Sequence, residues 1–239
     1  MSPGRARGPV ERPRRGGQQR IPRPPVTTPG GPAPWAHVEE LPPFDLATVR
    51  RALAASAAPR APAWEVPGAR PSAVLVPLFE EAGALRVLLT RRASHLRAHQ
   101  GEVAFPGGAR HGDEDLVTTA LREAEEEIGL DPGRVEIIGE LDHLATVSSR
   151  FEIVPFVGAL AGRPDLAPNP EEIDRVFDVA VIDLLHEDVF REEQWMLPYA
   201  RTIAFFELAD ETVWGATAAI LRHFLTLLAT GGGPVTPAV

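Results

Sequence analysis

Residues 122–130 read REAEEEIGL and place four glutamates within five positions, with no lysine or arginine among them. Few short stretches restrict a fold so tightly, because this much like charge must be solvated or given a counter-charge. At about 100° per residue of helix, Glu123, Glu126 and Glu127 share one face, within about 60° of Glu123, and Glu125 points away towards water. Val117, Ala120, Leu121, Ala124 and Ile128 form the adjoining apolar stripe. The spacing predicts a helix over 115–128 that stops at Gly129, a residue suited to the left-handed turn after a helix. Its three carboxylates then lie along the margin of the core and not opposite it. Carboxylates about 6 Å apart repel by roughly 3 kcal/mol per pair at an effective dielectric of about 20. Protonation of one of them, or a divalent cation, relieves that repulsion. Oxygen donors alone suit Mg²⁺ or Mn²⁺. On the helix alone, a glutamate-rich surface helix explains the same residues equally well.

The rest of the 239-residue chain narrows the setting. Cysteine is absent, which excludes disulfides and thiolate metal sites. No apolar run approaches the roughly 18 residues of a membrane span, so no membrane partner is expected. No apolar stretch follows the N-terminal arginines, so a secretory signal is not expected and a cytoplasmic protein is. The net charge of −9 is uneven: residues 1–34 hold seven arginines and one glutamate, leaving about −15 on the remainder. Those residues also hold nine prolines and six glycines and almost no large apolar side chains. Such a composition buries too little surface to offset its ordering entropy, so residues 1–43 are expected to be a disordered tail. A nucleic-acid arm is the sharper alternative. It is not favoured, because no aromatic interleaves the arginines.

The folded domain is expected over 44–230, with a flexible C-terminus at 231–239. Asp45 is a plausible N-cap for a helix over 46–56. Strands are expected at 72–80 and 85–92 around a hairpin turn, then at 101–105, 134–141, 151–160, 173–179 and 201–208. A short helix follows at 181–185, and an amphipathic helix closes the chain at 215–229. Several strands around two or three helices, without regular βαβ alternation, indicate an α+β sandwich.

The longer run Gly108–Leu130, GARHGDEDLVTTALREAEEEIGL, fits G-x5-E-x7-R-E-U-x-E-E-x-G-U, with U apolar. The fixed positions fall on Gly108, Glu114, Arg122, Glu123, Ala124, Glu126, Glu127, Gly129 and Leu130. This pattern resembles the Nudix box. The resemblance implies an α/β/α sandwich with a mixed β-sheet and hydrolysis of a nucleoside diphosphate linked to another group. It further implies Mg²⁺ or Mn²⁺ held by Glu123, Glu126 and Glu127, with the bare carbonyl of Gly108 within reach. Arg122 is expected to pair with Glu114 and brace the loop against the helix. Water attacks phosphorus, and a carboxylate takes its proton. That base falls on a box glutamate, Glu123 or Glu126, or on a later one, for which Glu172 in NPEEI is the candidate. If Glu172 is not the base, it and Glu171 merely flank a strand.

Directly upstream, LLTRRASHLRAHQGEVAFPGG (88–108) fits L-L-T-x-R-[SA]-x3-R-x3-G-x3-F-P-G-G. This is similar to the added motif of the coenzyme A diphosphatase branch of Nudix hydrolases, which NPEEIDRVF, VPFVG and VWGATAAIL also resemble. It implies coenzyme A or its thioesters as substrate. ADP-ribose or NADH hydrolysis stays open, as does a nucleotide-sensing module without catalysis. Arg92 and Arg97 are natural donors for phosphate oxygens. They equally suit ion pairs with Glu102 or the box glutamates. Arg91, on the other strand face, is expected in solvent. His95 and His99 are loop histidines, exposed or touching substrate, and Phe105 reads as core. His143, Ser148 and Ser149 sit in a loop able to close over the site. A family with many dimeric members extends the partner list to a second copy of the chain.

Overall fold

The computed structural model describes residues 15–62, 65–96, 98–147, 149–196 and 200–233. Strands β2 (Arg70–Glu81) and β3 (Ala84–Arg92) form the expected hairpin, and Ala82 and Gly83 both take positive φ in its two-residue turn. Alternation assigns the side chains of β2 to two cores. Ala73, Leu75 and Phe79 enter one, while Val76 and Leu78 enter the other. A strand buried on both faces lies inside a sandwich, and β2 is central to an eight-stranded sheet.

That sheet runs β4 (Val103–Ala104), β3, β2, β8 (Phe151–Ala159), β6 (Glu136–Glu140). Three further strands join it: β5 (Gly107–Ala109) on β2, β7 (Leu144–Thr146) on β8 and β9 (Ile173–Ala180) on β3. The β2–β8 pair is parallel and its neighbours are antiparallel, so the sheet is mixed. Helix α2 (Leu116–Ile128) packs on one face, over β2 and β5. The other face carries α1 (Leu46–Ala55), α3 (Gly215–Ala229) and a four-stranded sheet. That sheet runs β1 (Thr27–Pro29), β10 (Phe190–Met196), β11 (Ala200–Glu207), β12 (Thr212–Trp214). The architecture is the expected α+β sandwich.

Helix ends follow local chemistry. The Asp45 carboxylate accepts from the Thr48 N–H, and the Asp115 carboxylate accepts from the Thr118 N–H. Gly129 closes α2 at φ 67° and leaves no room for a Cβ, which would meet Ala167 at 2.9 Å.

Residues 15–43 depart from the expected disorder. Their few apolar side chains matter less than their backbone: β1 pairs with the edge of β10, and the Gly16 N–H donates to the Leu208 carbonyl at 2.7 Å. Trp35 is 4% exposed and packs against Phe190 and Phe206 at ring-centre distances of 4.8 and 6.5 Å. The folded part therefore starts well before residue 44. Residues 1–14 and 234–239 lie outside the described residues.

Candidate active site

The site lies where β5 meets α2. Gly107 takes φ 156°, and a Cβ there would stand 2.3 Å from the Ala73 carbonyl oxygen and 2.6 Å from the Val74 Cα. Only glycine lets this turn lie flat on β2. The Gly107 N–H then donates to Glu127 Oε2 at 3.2 Å. At Gly108, the space a Cβ would fill is taken by the Glu123 carboxyl group, 2.6 Å from the ideal position. Two glutamates of α2 thus converge on two consecutive glycines.

The three expected carboxylates occupy different environments. Glu127 is 2% exposed. Burial pushes its carboxyl up to about 7, against the pull of Arg92 and the Gly107 N–H and with a smaller push from Glu123 and Glu172. Glu123 is half-buried, and burial raises it too, opposed by Arg122. Glu126 lies largely in solvent. The shared face predicted by the 100° rule is a real direction, but the sheet covers only its inner end.

Two arginines hold this charge. Arg122 donates to Glu114 at 2.9 and 3.2 Å, to Glu123 at 2.8 Å, to Glu126 at 3.0 Å and to the Ala109 carbonyl at 3.2 Å. Glu114 is held down at about 2, first by Arg122 and then by the His111 N–H. It also accepts from the buried Thr119 hydroxyl, a support that the sequence pattern did not reveal. Arg92 donates to Glu127 at 3.3 Å. No three acidic or histidine side chains form a ready cation cluster among the described residues. The donor set nevertheless fits a cation that takes oxygen ligands: Glu123 fills the cradle at Gly108, and Glu127 is fastened to Gly107. Each of these two carboxylates also receives an arginine contact, Glu123 from Arg122 and Glu127 from Arg92.

Glu172 approaches from the far side. The Ala93 N–H donates to its carbonyl at 2.8 Å, and its own N–H donates to the Asn169 carbonyl at 3.0 Å. The Asn169 N–H in turn donates to the Glu127 carbonyl at 2.9 Å, tying this loop to the end of α2. Glu172 carries no ion pair among the described residues. His95 contacts the Glu171 carbonyl at 3.1 Å, tying its loop to the loop of Glu171 and Glu172, and His99 pairs with Glu102 at 2.8 Å within its own loop. His143 is fixed by Glu140 at 2.7 Å. Phe105 is core, at 3% exposure. Arg91, expected in solvent, instead donates to buried Glu211 at 2.9 Å, because the second sheet covers that strand face. Arg97 and Ser148 lie outside the described residues.

Residues 69–198 match the family described as NUDIX domain. The chain belongs to the Nudix family. Its Nudix helix is α2, and its Nudix loop is the turn Gly107–Asp115. The strap before residue 44 and the closing helix α3 lie outside the match. Among curated relatives, Nudix hydrolase 22, chloroplastic, of Arabidopsis thaliana is 40% identical over 167 residues, covering 66% of this chain and 55% of that protein. This Nudix chain therefore spans about half the length of that plant relative. The uncharacterized Nudix hydrolase NudL of Pectobacterium atrosepticum is 38% identical over 161 residues, covering 64% of this chain and 80% of its own. A solved Nudix hydrolase from M. smegmatis, RenU, aligns at TM-score 0.42 and 24% identity, over 48% of this chain and 73% of that one. No helix among the described residues is long and apolar enough to cross a membrane.

Proposed function

We propose that this chain hydrolyses the diphosphate bond of coenzyme A or its acyl thioesters, releasing 3′,5′-ADP and 4′-phosphopantetheine or its acylated form. The observation that supports this most is the path of residues 88–108. The run that resembles the coenzyme A diphosphatase motif leaves β3 with Arg92 on Glu127 and returns at Gly107, whose N–H meets the same carboxylate. The added motif and the Nudix box therefore converge on one side chain.

Glu123, Glu126 and Glu127, with the Gly108 carbonyl, are the residues that would hold Mg²⁺ or Mn²⁺. When bound, the ion would neutralise the diphosphate and acidify a water molecule. The protein groups divide the remaining work. Arg92 binds a phosphate oxygen through its planar fork of donors, and we assign Arg97 the same role. Arg122, braced by Glu114, keeps Glu123 and Glu126 at a fixed separation. Glu172 accepts the proton of the attacking water, because it is the carboxylate near Glu127 that no arginine neutralises among the described residues. We take 44–230 together with the strap as the catalytic unit.

The test is a substrate panel of coenzyme A, acetyl-coenzyme A, ADP-ribose and NADH, each with Mg²⁺ or Mn²⁺, with products identified by mass. Release of 3′,5′-ADP from coenzyme A, with the highest kcat/KM of the panel, is expected. A higher kcat/KM for ADP-ribose or NADH would replace the substrate assignment, and no turnover of any member would turn the reading towards a nucleotide sensor.

A further inference from the structure

Glu127 raises a question that the proposed reaction leaves open. When ionised, a carboxylate only 2% exposed needs a compensating charge before any ion arrives, because an unpaired buried charge is strongly destabilising. Arg92 supplies it, through a single contact of 3.3 Å. The neighbouring ion pair is built differently: Arg122 reaches Glu114 through two nitrogens, at 2.9 and 3.2 Å. Bidentate pairs are the strong and specific ones, so the Arg92 contact is the exchangeable one. The other nitrogens of Arg92 have no partner among the described residues, and its side chain is 26% exposed.

The backbone around Arg92 restricts any exchange to the side chain. Its N–H donates to the Glu102 carbonyl at 2.9 Å, and its carbonyl accepts from the Gly101 N–H at 3.1 Å. The β3–β9 register shifts between Arg91 and Arg92. Arg91 opposes Arg175, and both donate to buried Glu211, so Arg91 is not free to replace its neighbour.

We propose that Arg92 is a stand-in cation for Glu127, displaced when a divalent ion binds and then passed to a phosphate oxygen of the substrate. This rests on the reading of Glu127 as a metal ligand. The ion brings two positive charges to the carboxylates, so the guanidinium is no longer needed there and is repelled. A diphosphate bound to the ion offers Arg92 a new anionic partner within reach of the same fixed backbone. Ion binding and diphosphate binding then strengthen each other, and by linkage the coupling is the same in either order.

The test uses the full chain, Mn²⁺, and α,β-methylene-ADP as a non-hydrolysable diphosphate, with both affinities measured by calorimetry. In the unaltered protein, Mn²⁺ should tighten the analogue by about 5-fold or more. Arg92→Ala should bind Mn²⁺ alone several-fold more tightly, since the competitor is gone, and should bind the analogue in Mn²⁺ about 10-fold more weakly. Arg92→Lys, which keeps the charge but not the fork, should leave Mn²⁺ affinity near that of the unaltered protein while still losing analogue affinity. If Arg92→Ala folds poorly, Arg92→Gln, which removes the charge and keeps a polar side chain, is read in its place with the same expected and overturning outcomes. Mn²⁺ binding that is weakened or unchanged in a folded Arg92→Ala would overturn the exchange and leave Arg92 as a structural brace. Absence of Mn²⁺ binding to the unaltered protein would remove the metal reading itself, and the exchange with it.

Discussion

The Gly107 N–H and the Glu127 carboxylate, 3.2 Å apart, fasten the turn before the Nudix helix to the helix's last turn. The bond places an acid where the sheet excludes water, and its consequence is a dependence of stability on pH. The folded value, about 7, lies above the usual 4.5. Below about pH 4.5 Glu127 is protonated folded or unfolded, so its contribution is fully present. As pH rises from about 4.5 to about 7, only the unfolded chain ionises it freely, and about 3 kcal/mol is lost; above that both states are ionised and nothing further is lost. Half-buried Glu123 acts in the same direction. His223 acts oppositely: burial lowers it, so its contribution is lost as pH falls. Comparing the metal-free protein with Glu127→Gln isolates the Glu127 part. Between pH 5 and 8 the Tm of the unaltered protein should fall relative to that of Glu127→Gln, as read by thermal unfolding. Parallel profiles would mean that Glu127 is not buried as described.

Gly108→Ala separates the cradle from the fold. The three atoms nearest a Cβ at Gly108 all belong to the carboxyl end of Glu123, at 2.6–2.7 Å, and that end is flexible. The change should move Tm little while weakening Mn²⁺ binding about 10-fold or more, on the scale of displaced metal-site residues. Gly107→Ala, by contrast, drives a Cβ into the backbone of β2 at positive φ and should unfold the domain at a markedly lower temperature. Equal losses of stability in the two variants would remove the distinction between cradle and scaffold.

Glu126 is the most solvent-exposed of the three carboxylates, and its only described contact is with Arg122 at 3.0 Å. An exposed ion pair of this kind contributes little to stability. Glu126→Gln should therefore leave Tm within a few degrees and still lower kcat at least about 100-fold, a loss of roughly 2.7 kcal/mol in the transition state. Steady-state kinetics on coenzyme A with Mg²⁺ measures this, and near-normal kcat would take Glu126 out of the metal set.

What could be read beforehand was whatever depends on local chemistry. Asp45 and Gly129 marked helix ends, because caps are decided within a few residues. The β2–β3 hairpin followed from alternation on either side of a short turn. Strand β10 was missed for the opposite reason. One of its inward residues is Glu192, made acceptable by Arg222 at 2.7 Å, so hydrophobic alternation fails and only the tertiary partner explains the strand. The separation of Glu123, Glu126 and Glu127 into half-buried, exposed and buried groups depends on how far β5 overlies the helix, which helical periodicity does not contain. The pairing of Arg91 with Glu211 likewise spans 120 positions.

The strap gives the last prediction, and it reverses what composition alone suggests. Proline and glycine enrichment argues for a chain with nothing to bury. Yet β1 adds its backbone to β10, and the Gln19 amide joins buried Glu211 at 2.5 Å while accepting from the Thr212 N–H at 3.1 Å. Edge pairing of this kind asks little of side chains, because the backbone supplies the bonds. Trp35 then anchors the segment, its indole N–H donating to the Leu185 carbonyl at 3.3 Å. Trp35→Ala should cost about 3–5 kcal/mol, the range for a large aromatic removed from a core. At about 2–4 °C per kcal/mol for a chain of this size, Tm should fall by roughly 10 °C. Deleting residues 1–34 keeps Trp35 but removes β1 and Gln19, and should lower Tm by a smaller, still measurable amount. An unchanged Tm in both proteins would show that the strap is not packed in solution.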